Sequence, residues 1–203
     1  MGTANSLTAE ELGSDAQRDR RKRILDATIA LASQGGFDAV QMRSVAERAD
    51  VALGTLYRYF PSKIHLLVSA LGREFERAEA DTRDKPIPGA TAHERVMFLL
   101  DRTTRGLQED PHLTEALTRA FMFADASVKT EILAVGVLLT TMLTRAMDPD
   151  RTELAELTED DVAVARVIGD VWLSALVAWV TGRSTAAETA AHMETAVRML
   201  LRD

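Results

Sequence analysis

An all-α fold is what this 203-residue chain predicts, on three observations. Glycine and proline are sparse, 11 and 5 residues, and gather at a few points, so long stretches are free of helix breakers. Ala, Leu, Glu and Arg are abundant, while alternating β-branched runs are few. Apolar residues recur three and four apart, and short polar signals of the capping-box type precede several of these runs. A hydrophobic content of 46% is ample for a buried core.

Residues 1–13 are polar and aperiodic and read as a mobile tail. Ser14-Asp15-Ala16-Gln17 has the form of a capping box and opens a first helix through Ile24, Leu25, Ala27, Thr28 and Leu31. Gly35-Gly36 stops it, because a left-handed residue is tolerated there. Arg18, Arg20, Arg21, Lys22 and Arg23 crowd its first turns, either as a solvated face or as a row that tracks phosphates. Met42, Val45, Ala46 and Ala49 then repeat at helical spacing, with Arg43, Ser44, Glu47 and Arg48 between them. After a short interruption at Asp50-Val51-Ala52, Leu53 to Phe60 makes about two turns. Leu56 and Phe60 point inward, leaving Gly54, Thr55, Tyr57, Arg58 and Tyr59 outward. Ser62 caps a long helix from Lys63 to about Thr82, with Ile64, Leu67, Val68, Leu71 and Phe75 on one face.

Lys85-Pro86-Ile87-Pro88-Gly89 breaks that helix. Thr91-Ala92-His93-Glu94 is a further capping box, opening a helix with a stripe of Val96, Leu99, Leu100, Thr103 and Leu107. Asp110-Pro111 starts the next, with proline at the first helical position, and it ends in Ala120-Phe121-Met122-Phe123-Ala124. Ser127 begins a helix through Ile132, Leu133, Val137, Leu138, Met142 and Leu143 to about Met147, and a polar loop from Asp148 to Thr158 follows. Thr158-Glu159-Asp160-Asp161 opens a helix to Gly182, and Thr185-Ala186-Ala187-Glu188 opens the last, through Met193, Ala196, Val197 and Leu200. The expectation is nine helices and no strand, divided into a tail at 1–13, a head at 14–62 and a larger helical region at 63–203.

The net charge of −7 is unevenly distributed. Residues 16–66 carry nine Lys/Arg against five Asp/Glu, whereas residues 67–203 carry fifteen against twenty-three. The positive part coincides with the pair of short helices at 42–60, a helix-turn-helix pattern whose second helix suits the major groove of DNA. No cysteine is present, which excludes disulfides and thiolate metal sites and fits a reducing interior. No uninterrupted apolar run approaches the roughly 18 residues of a membrane span, so a soluble, cytoplasmic protein is expected, without membrane association. An enzyme is not expected: His65, His93, His112 and His192 are dispersed, and neither a phosphate-binding glycine loop nor a nucleophile elbow occurs. Neither a cofactor nor a metal is expected.

The run Val51-Ala52-Leu53-Gly54-Thr55-Leu56-Tyr57-Arg58-Tyr59-Phe60-Pro61-Ser62-Lys63 resembles the helix-turn-helix of TetR-family transcriptional repressors. The resemblance extends from Arg20 to about Phe75 and is greatest to the family's repressors of sterol catabolism. It implies an N-terminal DNA-binding head and a C-terminal ligand-binding and dimerisation domain. In the reading helix, Leu53 and Arg58 accompany Gly54, which admits a close backbone approach, Thr55, which is short enough for a base edge or phosphate, and Tyr57 and Tyr59, whose hydroxyls reach DNA. Lys63 adds charge at a helix start that already favours phosphate. By resemblance, Gln41 stands where many relatives have a phosphate-binding Thr, and Arg43 where a base contact is common.

For the larger region, Met97, Phe98, Leu100, Thr104, Phe121, Met122, Phe123, Leu138, Met142 and Trp172 are candidates to line an adaptable apolar cavity, with ordinary close-packed core as the competing reading. The resemblance implies that it admits a sterol-derived coenzyme A thioester, with Arg102, Arg105 and Arg119 placed by charge alone toward its phosphates. The helix from Val162 to Val180 is apolar nearly all round and must be covered on both sides, by a twofold partner or by the chain's own core. The resemblance implies a homodimer, with Ile168, Trp172, Ala175, Leu176, Trp179, Met193, Val197 and Leu200 at its interface. Arg166 and Asp170, four apart, form either a solvated pair or a lock across that interface. The expected function is a ligand-responsive repressor on a palindromic operator. The alternatives are a family member sensing a fatty acyl thioester or a drug, and a helical scaffold that does not bind DNA.

Overall fold

The computed structural model describes residues 15–83, 85–150 and 157–201. Among them are nine α-helices, one 3-10 turn and no strand. The helices are α1 (Asp15–Ala39), α2 (Met42–Arg48), α3 (Leu53–Tyr59), α4 (Lys63–Thr82), α5 (Ala92–Gln108), α6 (Pro111–Met122), α7 (Lys129–Met147), α8 (Glu159–Val180) and α9 (Ala186–Leu200). The expected tail at 1–13, the Ser14 cap and most of the loop between Asp148 and Thr158 lie outside the described residues.

Local chemistry accounts for most of the boundaries. The regular part of α1 ends at Gly35, and Gly36 has φ +68°, the left-handed conformation that favours glycine. Complete capping boxes open α5 at Thr91 and Glu94, α8 at Thr158 and Asp161, and α9 at Thr185 and Glu188. Asp110 caps α6, with Pro111 at its first position. Two boundaries differ from expectation. Asp125, not Ser127, is the cap beyond α6: its carboxylate accepts from the Ser127 amide and hydroxyl, and a 3-10 turn at Ala126–Val128 precedes α7. The eighth helix stops at Val180 rather than Gly182, because the Gly182 and Arg183 amides turn back to the carbonyls of Trp179 and Ala178.

The chain divides into two compact units, one holding the residues up to Leu71 with Asp110–Ile132, the other Gly72–Glu109 with the residues from Leu133 on. In the first, α6 lies along α1, and α2 packs on both α1 and α3. Ile24, Leu25, Val40, Val45, Leu56, Phe60, Leu66, Leu67 and Leu117 are fully buried there. In the second, α9 packs on α5 and α8. Trp172 stands at its centre, 5.8 Å from the Phe75 ring, with its indole N–H donating to the Thr104 hydroxyl at 2.8 Å. Arg95 closes the end of α7 by donating to the carbonyls of Ala146 and Met147 at 2.8 and 2.7 Å, and Arg145 donates to the Thr82 carbonyl at the end of α4. Gly169 lets α8 approach α7, since a Cβ there would stand 2.9 Å from Leu139 Cδ2.

Two stretches, Ala126–Met147 and α8, are long and apolar enough to cross a membrane by length and composition. A search for an uninterrupted apolar run passes over both, because Lys129, Glu131 and Arg145 interrupt one and Arg166 and Asp170 the other.

Replacing Thr91 by Ala should cost about 1 kcal/mol, the usual worth of a helix cap, measured as a shift in urea midpoint at unchanged slope. The capping carboxylates also set a pH dependence. Amide donors of Ala90 and Thr91 hold Glu94 below its ordinary value, and the amide and then the hydroxyl of Thr185 do the same for Glu188. Their stabilisation is therefore complete above the ordinary carboxylate value and is lost as pH falls below it through the depressed one. A protein carrying both Glu94→Gln and Glu188→Gln, which removes the two titrating carboxyls, should show a shallower loss of stability in acid than the parent; an equally steep acid limb would count against this origin.

Candidate nucleic-acid interface and effector region

The helix-turn-helix is built around one unusual backbone residue. Asp50 has φ 53°, a conformation that Asp tolerates better than most residues, and the amides of Asp50 and Val51 return to the carbonyls of Glu47 and Ala46. This ends α2 and turns the chain into α3. Val45, Ala46, Leu56 and Phe60 face the core, and Arg23 on α1 donates to the Ala49 carbonyl at 3.1 Å, fixing the end of α2.

The opposite side of α3 is open. Gly54, Tyr57 and Arg58 are exposed, Tyr57 by 46%, and Leu53 and Thr55 are half-exposed. Gln41 and Arg43 are exposed at the start of α2. Among the described residues neither Arg43 nor Arg58 pairs with a carboxylate. Tyr59 must be withdrawn from this outward set: it is 3% exposed, because it lies three residues after Leu56 and so shares the inward face of α3.

A Cβ on Gly54 would meet nothing within 4 Å. Glycine in a helix costs roughly 0.5–1 kcal/mol relative to alanine, so nothing within the chain explains its presence.

Two other residues of the set are partly engaged. The Gln41 side-chain amide donates to the Asp38 carbonyl at 2.9 Å. The Lys63 ammonium lies 3.9 Å from the centre of the Phe37 ring, and burial lowers its pKa, offset in part by Asp38. The basic row on α1 serves the head itself for the most part: Arg18 pairs with Asp15, Lys22 with Asp26, and Arg21 lies over the Phe60 ring.

The residues proposed for a single apolar cavity divide between the two units. Phe121, Met122 and Phe123 belong to the first unit, where Met122 and Phe123 are 54% and 69% exposed. The other seven lie in the second unit. There Leu100, Met142 and Trp172 are buried, Met97, Thr104 and Leu138 half-buried, and Phe98 exposed at its edge. Met97 and Phe98 line an open groove of about 500 Å³ with Pro88, His93, Asp101 and Glu194. Its rim is acidic, so it does not suit a nucleotide phosphate. Arg105 is tied to Asp101 at 2.6 Å, and Arg119 lies in the first unit, between Asp38 and Glu115.

The interface candidates divide by burial. Ile168, Trp172, Ala175, Leu176, Met193 and Val197 are at most 5% exposed and belong to the chain's own core, because α5 and α9 already cover that side of the unit. Trp179 and Leu200 are half-exposed. The open positions are their neighbours Val167 and Met199, 44% and 62% exposed, and Arg166 and Asp170 make no ion pair with each other.

Sequence reasoning missed the cluster that Phe37, Asp38 and Glu115 form with Arg119 at the end of α1, beyond Gly36. The Phe37 amide donates to Glu115 across 78 positions of sequence, a distance that leaves no periodic signal.

Comparison with known proteins agrees with this geometry. Residues 24–70 match the family of bacterial regulatory proteins described as the tetR family, and residues 89–200 match the tetracyclin repressor-like C-terminal domain. The HTH-type transcriptional repressor KstR of Rhodococcus jostii strain RHA1 is 60% identical over 98% of this chain and 91% of its own length. KstR of Mycobacterium tuberculosis strain H37Rv is 55% identical over 97% and 87%. A crystal structure of a TetR transcriptional regulator from Rhodococcus sp. RHA1 superposes with a TM-score of 0.82 at 31% identity, covering 93% of this chain and 97% of that one. Thermus thermophilus FadR, a repressor solved in complex with lauroyl-CoA, shares the fold at TM-score 0.70 and 21% identity, over 89% and 93%. With a matched C-terminal domain longer than half the chain and end-to-end relatives that are repressors, the chain belongs to the TetR family of transcriptional repressors and is a DNA-binding regulator, not an enzyme.

Proposed function

We propose that this repressor acts as a homodimer on a pseudo-palindromic operator, controls genes of sterol catabolism, and is released by a sterol-derived coenzyme A thioester. The observation that carries the DNA-reading surface is the open face of α3, with an unexplained Gly54 between solvent-facing Leu53 and Thr55 and unpaired Arg43 and Arg58 nearby. A glycine that costs stability and meets nothing inside the chain makes sense where another backbone comes close. A twofold dimer places the two reading helices ~34–36 Å apart, or a multiple of it, so half-sites should follow that spacing.

End-to-end identity of 55–60% with the KstR repressors supports the sterol reading, since it includes the effector region as well as the head. Within the second unit, Leu100, Leu138, Met142 and Trp172 supply apolar walls, and methionine adapts its shape at low cost. The partner copy covers the exposed parts of α8 and α9 around Val167, Trp179 and Met199. Such a repressor works in the cytoplasm, where its operator is, a reading that its repressor relatives support.

The decisive experiment titrates the protein's own upstream DNA with and without 3-oxo-steroid coenzyme A thioesters, with fatty acyl thioesters as controls. Release by the steroid thioester alone is expected; release by fatty acyl thioesters instead would move the effector class, and tight binding untouched by either would discard the thioester. Gly54→Ala should raise the urea midpoint, by up to about 1 kcal/mol of stability, while weakening operator binding; unchanged binding would remove the close approach. Tyr57→Ala and Lys63→Ala should weaken operator and random DNA alike, whereas Thr55 and Arg43 substitutions should also relax base preference by ~1–3 kcal/mol. Sedimentation of Val167→Glu and Met199→Glu should show monomers, and a dimer that survives both would place the interface elsewhere.

A further inference from the structure

We propose that Glu115 and Arg119 of α6 are positioning residues for DNA binding, clamping the turn between α1 and α2 and through it setting Gln41 and Lys63. The inference rests on the reading of α3 and its flanks as the DNA surface. The turn is shaped around the Glu115 carboxylate. Gly36 sits at φ +68°, and a Cβ there would lie 2.5 Å from Glu115 Oε2 and 3.8 Å from the His112 carbonyl. The next amide, Phe37 N–H, donates to the same Oε2 at 2.8 Å. Glu115 Oε1 meets Arg119 at 3.4 Å, and that guanidinium also reaches Asp38 at 3.4 Å while lying 4.4 Å from the Phe37 ring centre.

Both DNA-facing side chains are attached to this turn. Lys63 places a second cation 3.9 Å from the Phe37 ring, in the field of Asp38, Arg119 and Glu115. Gln41 donates to the carbonyl of Asp38. The four charges of the cluster balance, two of each sign, so its effect on DNA is geometric before it is electrostatic. Loss of the Glu115 side chain frees the Phe37 amide and leaves two cations around one ring with Asp38 alone opposing them. Removing a negative charge near DNA favours binding in itself, so a weakening from Glu115→Ala has to come from lost geometry. Glu115→Gln separates the two effects, because its amide oxygen still accepts from Phe37.

The test is operator titration by fluorescence anisotropy at several salt concentrations, using the full chain. The proteins are the parent, Glu115→Gln, Glu115→Ala, Arg119→Met, and Glu115→Ala in a Gln41→Ala/Lys63→Ala background. Glu115→Ala should weaken binding about tenfold and lower the salt slope by ~1.8, the share of one lysine contact from each protomer of the dimer. Glu115→Gln should stay within about threefold of the parent, and in the double-alanine background the effect of Glu115→Ala should shrink below about twofold, as expected of residues that act as a unit. A tenfold loss that persists in that background with unchanged slope, or one equally large for Glu115→Gln, would overturn the clamp. If Glu115→Ala melts below the working temperature, Arg119→Met decides, since methionine keeps apolar cover on Phe37; about threefold weakening that vanishes in the same background is expected, and no weakening overturns the proposal. A parent that binds no operator defeats the DNA-surface reading, whereas a parent that binds and a folded Glu115→Ala protein that matches it defeats the clamp alone.

Discussion

Two seven-residue helices cannot hold their own shape in water, and the DNA-reading part of this molecule consists of two such helices. Nucleation costs more than so few backbone hydrogen bonds return, so α2 and α3 exist only because their inner faces are buried. The head accordingly spends nearly every large apolar residue on that burial: Val45 and Leu56 from the short helices themselves, with Ile24, Leu25, Phe60, Leu66 and Leu67 from their surroundings. Neither short helix has a side-chain cap. Where caps are absent, tertiary anchors stand in, with Arg23 on the Ala49 carbonyl and Asp50 taking the left-handed turn between them. An outward face with few internal obligations is the result, and that is what a reading surface requires.

This dependence also explains what could be read from the chain in advance. Helix starts and stops are local events, decided by three or four neighbouring residues, and Thr91 with Glu94, Thr158 with Asp161, Asp110 with Pro111 and Gly36 all act as their chemistry predicts. The helix-turn-helix was legible for the same reason, down to the limits of α4. What was not legible is whatever depends on which helix lies beside which. Tyr59 looks outward in a residue-by-residue reading, yet its angular position beside Leu56 carries it into the core. The cavity candidates Phe121, Met122 and Phe123 fall in a different unit from the other seven, a division that no local pattern marks. Six interface candidates proved to be core, because an apolar position that needs cover does not say whether cover comes from the same chain or another.

Charge follows the same division of labour. The overall −7 conceals a head with an excess of cations, and much of that excess is not free for DNA, since Arg18, Arg21, Lys22 and Arg23 have partners within the head. Arg43 and Arg58 are without carboxylate partners among the described residues, and Lys63 is held against Phe37. Elsewhere the acids work locally as well. Glu94, Glu188 and Asp161 close helix starts, and Glu79 pairs with Arg83 and Arg145 near the end of α4. Glu79 is offset by its two arginines, whereas the capping Glu94 and Glu188 are held ionised by the groups they cap.

Helix α4 is anchored at both ends by different chemistry. At its start, Ser62 caps the His65 amide and shares a hydrogen bond with the His65 ring, whose other nitrogen meets the Ser127 carbonyl at 3.1 Å. Along its second half, Phe75 packs on Trp172, and Arg145 holds the Thr82 carbonyl and pairs with Glu79. Twenty helical residues span ~30 Å. An aromatic contact buried in this way contributes ~0.5–1.5 kcal/mol beyond the area it removes from water, so Phe75 holds the second half of α4 to the core of its own unit, while Ser62 and Ser127 hold the first turn to the other.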